Sequence, residues 1–257
     1  ALPTSQAPSP YYNTSTDAYC YIGTEKPNHD VVIVGWDDSY SKDNFNTDLE
    51  GDGAFICQNS WGDNFGENGF FYISYYDTNI GTHNVVYTDI ENTDNYDHIY
   101  QSDLCGWVGQ LGYNKDSIYG ANVFTAEGNE TLKAASFYAT GKDSQYELYV
   151  VRQFEDETSL EKMIPVASGK LGNAGYYTVD FNQGIEVDAG ERYAVVLYII
   201  TPGSVHPMAI EYAADEATEN VDLDDGESYI SANGSKWVSV DTVEKSNLCI
   251  KAFSDNR

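Results

Sequence analysis

The sequence has few basic residues. Only 13 Lys and Arg stand against 41 Asp and Glu among its 257 residues, which gives a formal charge of −28. A field of this sign repels phosphate backbones and anionic lipid headgroups, so we expect neither nucleic acid nor a membrane surface as a partner. Long apolar runs are also absent, and no segment approaches the ~18 to 20 consecutive apolar residues of a membrane span. An initiator Met and a signal sequence are lacking too, and the opening ALPTSQAPSP predicts a processed or truncated product.

Cysteine is scarce and widely spaced. The four residues, Cys20, Cys57, Cys105 and Cys249, form no C-x-x-C pair, which argues against a structural zinc site. Their even number permits two disulfides with three possible connectivities, but a chain of this length does not need them in order to fold. We expect free thiols that are mostly buried.

Short apolar runs rich in β-branched and aromatic residues predict strands in the first part of the chain. These runs are VVIVGW from Val31, AFICQNSW from Ala54, FFYISYY from Phe70 and HNVVYTDI from His83. The acidic stretch SKDNFNTDLEGDG between the first two predicts a surface loop.

The pattern changes after the polar stretch ENTDNYD at 91–97. Many short strand candidates then follow at about 8 to 12 residue spacing, separated by turns such as GKDS, LGNAG and ANGS, with no long amphipathic helix between them. This pattern predicts an antiparallel β-sandwich or jelly roll and disfavours a parallel βαβ architecture. We therefore expect a mainly β chain with one domain at 1–91 and a second at 92–257.

Two motifs carry the chemistry. N-H-D-V-V-I-V-G-W surrounds His29, and C-Q-N-S-W-G surrounds Asn59, followed by G-E-N-G-F-F-Y-I-S from Gly66. Alone, the histidine would indicate a core or surface residue, and NSWG would indicate a turn. Together they resemble the histidine and asparagine blocks of papain-like cysteine proteases. The resemblance implies half of a papain-like fold, an antiparallel β-barrel-like subdomain.

The chemistry explains why these residue types occur together. A cysteine thiol with an unperturbed pKa of ~8.5 is mostly protonated at neutral pH, so a cysteine nucleophile needs an adjacent imidazole. The resemblance gives His29 the role of base and then acid, and Asn59 the role of orienting its ring. It makes Trp61 a supporting residue that covers their hydrogen bond, and it implies no cofactor for catalysis.

The sequence departs from the family pattern in two places. Asp30 stands where a small residue usually follows the histidine, and Phe65 replaces the usual tryptophan after NSWG. Nothing matches the family's Q-x-x-x-x-x-C-W nucleophile block. Cys20 lies in a polar segment with no helix start to activate it, and Cys57 lies on a predicted strand. We expect this chain alone to be inactive and its nucleophile to belong to a missing N-terminal half.

The second domain resembles the lectin-like domain that follows the protease in clostridial cell-surface cysteine peptidases. The resemblance rests on NYDHIYQSDLCGWVGQLGY from Asn95, on ANVFTA and on NLCIKAF. It implies a secreted or cell-wall location and a cell-surface glycan as a possible partner. Exposed aromatic residues can stack on sugars, and this domain contains Trp107 and Trp237. Aromatics also pack across strands in any sandwich, and we assign no residue to sugar binding.

The resemblance also implies a structural calcium ion in some relatives. The run V-D-L-D-D-G-E supplies carboxylate oxygens of the kind that calcium prefers, and a solvated acidic turn explains the run equally well. The candidate ligands are Asp222, Asp224, Asp225 and Glu227. A second acidic run, D-L-E-G-D-G from Asp48, has Asn59 where a calcium loop needs its twelfth-position glutamate, so we expect a surface loop.

Two functions remain open at this point. The first is the C-terminal portion of a secreted or cell-wall papain-like endopeptidase that hydrolyses peptide bonds of proteins. The alternative is a non-catalytic carbohydrate- or surface-binding module whose protease half is degenerate or has been removed. The residue at the upstream nucleophile position distinguishes them, because a Cys-Trp pair at a helix start favours the enzyme and a Ser or Gly favours the module.

Overall fold

The protein is described by a computed structural model over residues 9–82 and 84–257. Its contacts divide it into two compact units that meet between Tyr87 and Thr88. Both units are built from β-strands, as the sequence predicts. No helix among the described residues has the length and apolarity to cross a membrane.

The described residues of the first unit form an open five-stranded sheet. Its strands are β1 (Tyr12–Asn13), β2 (Ala18–Tyr19), β3 (Val32–Asp37), β4 (Ala54–Gln58) and β5 (Phe70–Ser74). They lie in the order β1-β2-β5-β4-β3, so β3 forms one edge. The β3–β4 and β4–β5 pairs are antiparallel and β2–β5 is parallel. The β-branched and aromatic runs VIVGWD, AFICQ and FFYIS form the three longer strands because such side chains suit a pleated surface.

Part of the predicted surface loop between β3 and β4 belongs to the core. Phe45 and Leu49 are 7% and 5% exposed and pack with Ala18, Cys20 and Ala54. A short 3₁₀ turn, Lys42–Asn44, precedes Phe45. The prediction was wrong for these two side chains because isolated apolar residues in a polar stretch can still reach the core while their neighbours stay hydrated.

The fourth strand predicted in this region does not form. Residues 84–90 have no strand pairing, and His83 lies outside the described residues. Val85, Val86 and Tyr87 are 80%, 75% and 82% exposed. A β-prone segment becomes a strand only beside a partner that takes its backbone hydrogen bonds, and the described residues offer none here.

The second unit contains three antiparallel sheets and one short helix, α1 (Val240–Val243). Its strands are β6 (His98–Tyr100), β7 (Gly109–Leu111), β8 (Ser117–Thr125), β9 (Glu130–Ala139), β10 (Ser144–Val151), β11 (Ile164–Leu171), β12 (Gly175–Val187), β13 (Arg192–Ile200), β14 (Met208–Glu211), β15 (Ser228–Ser231), β16 (Val238–Ser239), β17 (Asn247–Leu248) and β18 (Ile250–Asn256). The sheet orders are β11-β10-β13-β8-β15-β16, β12-β9-β18-β6 and β17-β14-β7. A 3₁₀ turn covers Glu157–Glu161.

One apolar core joins the two larger sheets. Phe137 from β9 and Ile250 from β18 are fully buried against Ile118 and Leu197 from β8 and β13. The buried Asn122 side chain donates from Nδ2 to the carbonyl oxygens of Leu248 and Ile250 at 2.9 and 2.8 Å. Sheet faces packed in this way form a sandwich, as the spacing of the strands predicts.

Candidate active site

The antiparallel pairing of β3 with β4 brings the two motifs together. His29 lies just before β3 and Asn59 directly follows β4, and the register pairs Val32 with Gln58. The start of β3 lies beside the end of β4, so both side chains lie at the same end of this strand pair. His29 Nε2 and Asn59 Oδ1 lie 3.0 Å apart. With its proton on Nε2, the imidazole donates to the amide oxygen.

Asn59 is held from several sides. Its Oδ1 also accepts from the backbone N–H of Ser60 at 2.8 Å, and its own backbone N–H donates to Gly69 O at 3.0 Å. The side chain is only 6% exposed, and its Nδ2 has no hydrogen-bond partner among the described residues. The oxygen that faces His29 is therefore fixed by a second donor.

Trp61 covers this pair. Its ring centroid lies 5.1 Å from that of His29 with the planes tilted by 34°. Phe65 meets the indole edge-on at 5.1 Å and packs in turn against Phe71 at 5.5 Å. Aromatic pairs favour such edge-on contacts, so Phe65 supports Trp61 although it departs from the family's tryptophan.

The second ring nitrogen of His29 is accessible. His29 is exposed, and its Nδ1 makes no hydrogen bond to any residue that the structure describes. Asp30 is also exposed, and no ion pair between it and His29 is found within 9–82 and 84–257. Nδ1 is thus free to take a proton from an incoming thiol.

None of the four thiols has the environment of a nucleophile. Burial, with the charge of Asp77, raises the pKa of Cys20 to about 11 and that of Cys57 to about 12. Burial also raises the pKa of Cys249, and a hydrogen bond with Glu211 raises that of the exposed Cys105. All four are free, as expected. Reactive cysteines show the opposite shift.

Comparison with known proteins identifies both units. Residues 6–90 match the model of the papain family cysteine protease, and residues 99–254 match that of the lectin like domain. The second match spans more than half of the chain, so the chain belongs to the lectin-like domain family, and its first unit is similar to the papain family. The resemblance of the His29 and Asn59 blocks is confirmed at the level of the family.

Two solved structures are similar over 96% of this chain. One is the clostridial cysteine protease Cwp84 after propeptide cleavage, with a TM-score of 0.81 and 28% identity. The other contains the cysteine protease and lectin-like domains of Cwp84, a surface layer associated protein of Clostridium difficile, with a TM-score of 0.76 and 26% identity. The chain spans 63% and 56% of their lengths, less than two thirds of either. A comparison with curated proteins gave no match.

A cavity of about 140 Å³ adjoins His29 in the papain-like unit. Pro27, Val31 and Ile80 give it apolar walls, and Asp77 lies at its lining. The Asp77 carboxylate accepts from the backbone N–H groups of Tyr21, Asn79 and Ile80 at 2.7, 2.9 and 2.9 Å. Sequence reasoning missed Asp77, although Asp-Thr-Asn after a strand is a turn signal that could have found it.

The four predicted calcium ligands of the lectin-like unit do not converge. Glu227 pairs with Arg192, and Asp224 pairs with Lys245 at 3.1 Å. Among the described residues, no group of three or more His, Cys, Asp or Glu is placed to hold a metal. As a set of four carboxylates the prediction therefore does not fit, because cationic side chains already neutralise two of its members.

Two of these residues instead meet around Asn247. Its Nδ2 lies 2.8 Å from Ser102 O, 2.9 Å from Asp222 O, and 3.3 Å from both Glu211 Oε2 and Asp225 Oδ1. A side-chain amide has two protons to donate, so these four oxygens outnumber its donors. Glu211 is fully buried, and burial together with the charge of Asp222 raises the pKa of Asp225.

Proposed function

We propose that this chain is the part of a papain-like cysteine endopeptidase that carries the histidine and asparagine, and that its nucleophile lies outside these 257 residues. The 3.0 Å contact of His29 Nε2 with Asn59 Oδ1, with Nδ1 left open, supports this function. Since the described cysteines are buried or have raised pKa values, this chain by itself would hydrolyse no peptide bond.

His29 would act twice in each cycle. Its Nδ1 would take the proton of the incoming thiol while the sulfur attacks the substrate carbonyl, and the imidazolium would then give that proton to the leaving amine. A water molecule would hydrolyse the resulting thioester with His29 again as base. Asn59 would keep the ring oriented through Nε2, and its neutral amide would not withdraw the imidazolium proton.

The cavity beside His29 supports a protein substrate with an apolar side chain near the scissile bond. Pro27, Val31 and Ile80 give it apolar walls, and the consecutive Glu25 and Lys26 in its lining carry opposite charges. The buried carboxylate of Asp77 is already bonded to three backbone N–H groups. A cationic substrate side chain would find that charge already engaged. We expect a peptide with Leu or Val next to the cleaved bond to be preferred over one with Lys.

Activity assays with a fluorogenic peptide test this function. We expect no turnover from this chain, and turnover from a longer product that includes the complete papain-like domain. In that product His29→Ala should reduce kcat/KM by at least ~10²-fold, the usual share of a general acid–base group. Robust turnover by this chain that Cys20→Ser abolishes would contradict the proposal.

The alternative remains a binding module with a degenerate protease part. Asp30 beside the histidine and the lack of an activated thiol favour it. Its partner would be a cell-surface glycan. An encoded upstream Ser or Gly at the nucleophile position, with no turnover by the longer product, would establish this alternative.

A cell-surface location accompanies the proposed enzyme. One similar structure is of a surface layer associated protein, and the net charge of −28 keeps an extracellular protein soluble. Cell fractionation with an antibody to the lectin-like unit should find the protein in the wall or the medium. Recovery in the cytosol would contradict this location.

A structural calcium ion would bind at Asn247. Calcium takes six to eight oxygen ligands, and the carboxylates of Glu211 and Asp225 with the carbonyls of Ser102 and Asp222 meet there. We expect Ca²⁺ to raise the Tm of this chain and Asp225→Asn to remove that increase. The control Asp224→Asn, at a neighbour paired with Lys245, should keep it. No change of Tm with Ca²⁺ would contradict the site.

A further inference from the structure

The segment that leads to His29 has no regular structure of its own. Residues 20–31 lie between β2 and β3 and form neither strand nor helix. A general acid–base group has to be held close to its productive position, because a small displacement of the reacting atoms lowers the rate steeply. The position of the His29 backbone therefore depends on contacts that another part of the unit supplies.

The turn that follows β5 supplies these contacts. Asp77 Oδ2 accepts from the backbone N–H of Tyr21 at 2.7 Å, and the Thr78 N–H donates to Tyr21 O at 3.0 Å. Further along the segment, Asn79 Nδ2 donates to Glu25 O at 3.2 Å. The turn thus holds the leading segment at two points, the second of which lies four residues before the histidine.

The two oxygens of Asp77 have separate partners. Oδ1 accepts from the N–H groups of Asn79 and Ile80, both at 2.9 Å, and so closes the turn itself. Oδ2 accepts from Tyr21 and so joins the turn to the leading segment. The residue is only 8% exposed, and a buried carboxylate is stable only with such donors. A substitution that replaces one oxygen can therefore release the segment and keep the turn.

The span between Glu25 and His29 is short and stiff. Only Lys26, Pro27 and Asn28 lie between them. The Pro27 ring fixes its own φ and restricts the conformation of Lys26. Because few free dihedral angles remain in this span, a displacement of Glu25 also displaces the histidine.

We propose that Asp77 is a positioning residue whose Oδ2 holds the segment that places His29 Nδ1 for the incoming thiol, which rests on the function proposed above. Asn59 and Trp61 orient the imidazole ring, and Asp77 fixes the backbone that carries it. The Asp77 carboxylate is already bonded to backbone donors, so its effect on the reaction passes through His29.

Asp77→Asn tests the contact in this chain. An amide has one acceptor oxygen, which can serve the N–H groups of Asn79 and Ile80, while its nitrogen cannot accept from Tyr21. We expect the Tyr21 amide to exchange with solvent at least ~10-fold faster in the variant, and the ¹⁵N NMR shifts of the His29 ring to change. An unchanged Tyr21 amide or unchanged His29 shifts would overturn the proposal.

Kinetics of the longer product test the effect on the reaction. We expect Asp77→Asn to lower kcat at least ~10-fold and to change KM by less than ~3-fold. A residue that only stabilises the fold would lower Tm and leave the kcat of the folded enzyme unchanged well below that Tm. A loss confined to KM would assign Asp77 to the cavity wall and overturn the proposal.

Asp52→Asn is the matched control. Asp52 Oδ1 accepts from the backbone N–H of Lys42 at 2.9 Å in the loop before β4, so the control changes a carboxylate that also binds a backbone donor but lies on another segment. We expect it to leave kcat and the His29 ring shifts unchanged. Equal effects of the two substitutions would overturn the proposal.

The positioning role and the proposed function fail on different measurements. A parent longer product without activity would refute the proposed function, and the His29 shifts in this chain would still decide whether Asp77 positions the ring. Equal kcat values for an active parent and its Asp77→Asn variant would refute the positioning role and keep the protease.

Discussion

At the scale of residues, the site depends on one amide oxygen. Asn59 Oδ1 accepts from the Ser60 N–H and contacts His29 Nε2. The Ser60 hydrogen bond therefore fixes the orientation of the amide oxygen that the imidazole contacts. The backbone donor identifies which end of the side chain is oxygen, since an N–H requires an acceptor. Asn59→Asp would therefore keep the contact but place a charge beside the imidazole, a change in chemistry without a change in shape.

The four thiols should react very unequally. Cys105 is exposed, whereas Cys20, Cys57 and Cys249 are buried, and burial raises the pKa of Cys20 to about 11 and of Cys57 to about 12. We expect Ellman's reagent at pH 8 to detect one thiol in the folded chain and four after denaturation. Cys105→Ser should remove the fast thiol, and a second fast thiol in that variant would contradict the burial described.

His98 should make stability depend on pH. A hydrogen bond to Asn256 Oδ1 at 2.9 Å and the nearby carboxylates of Glu130 and Glu127 raise its pKa in the folded state. A raised pKa stabilises the fold fully below the unfolded value of ~6.5, and this contribution is lost as pH rises through the folded value. The difference in Tm between the parent and His98→Gln should therefore shrink from pH 5.5 to pH 8. A constant or growing difference would contradict this assignment.

At the scale of elements, sequence patterns predicted strands well where neighbours were available. Three of the runs in the first unit became β3, β4 and β5. The run HNVVYTDI did not, because strand formation depends on a partner that periodicity cannot reveal. The strand β11 has a partner but a weak sequence signal, since the Pro and Gly within IPVASGKL are unusual in a strand that pairs with a neighbour such as β10.

The candidate site was predictable to a similar extent. The motifs predicted that His29 and Asn59 meet beneath Trp61, and the contacts show them together. Asp77 and the Asn247 network were not found from the sequence. Their roles depend on backbone groups of distant residues, and no side-chain pattern records where those groups lie.

Asn122 is a buried polar residue of the sandwich that should be costly to replace. Its Nδ2 bonds to the carbonyls of Leu248 and Ile250, and Ser228 Oγ donates to its Oδ1 at 2.7 Å. Asn122→Leu would leave two buried carbonyls unpaired, at a cost of about 2 to 4 kcal/mol in the free energy of unfolding. Urea denaturation measures this loss. As a control, Asn220→Leu at an exposed position should change the free energy of unfolding by less than ~0.5 kcal/mol. Equal losses of stability in the two variants would show that the hydrogen bonds of Asn122 do not stabilise the sandwich.

At the scale of the whole molecule, charge opposes compactness. With a net charge of −28, the folded chain gathers like charges that unfolding would separate. Raising the ionic strength from 0.01 to 0.15 M shortens the screening length from roughly 30 to 8 Å. We expect the Tm to rise with NaCl in the presence of EDTA, and a falling Tm would show that attractive ion pairs outweigh the repulsion.

The position of β18 has a consequence for biosynthesis. This strand, Ile250–Asn256, lies between β9 and β6 in the interior of its sheet. Its neighbours β9 and β6 are synthesised more than a hundred residues earlier. During translation these two strands therefore lack the strand that pairs between them until Asn256 has emerged from the ribosome. The unit therefore completes its folding only after β18 has left the ribosome, and a nascent chain that stalls before residue 250 would leave an open sheet for proteases to remove.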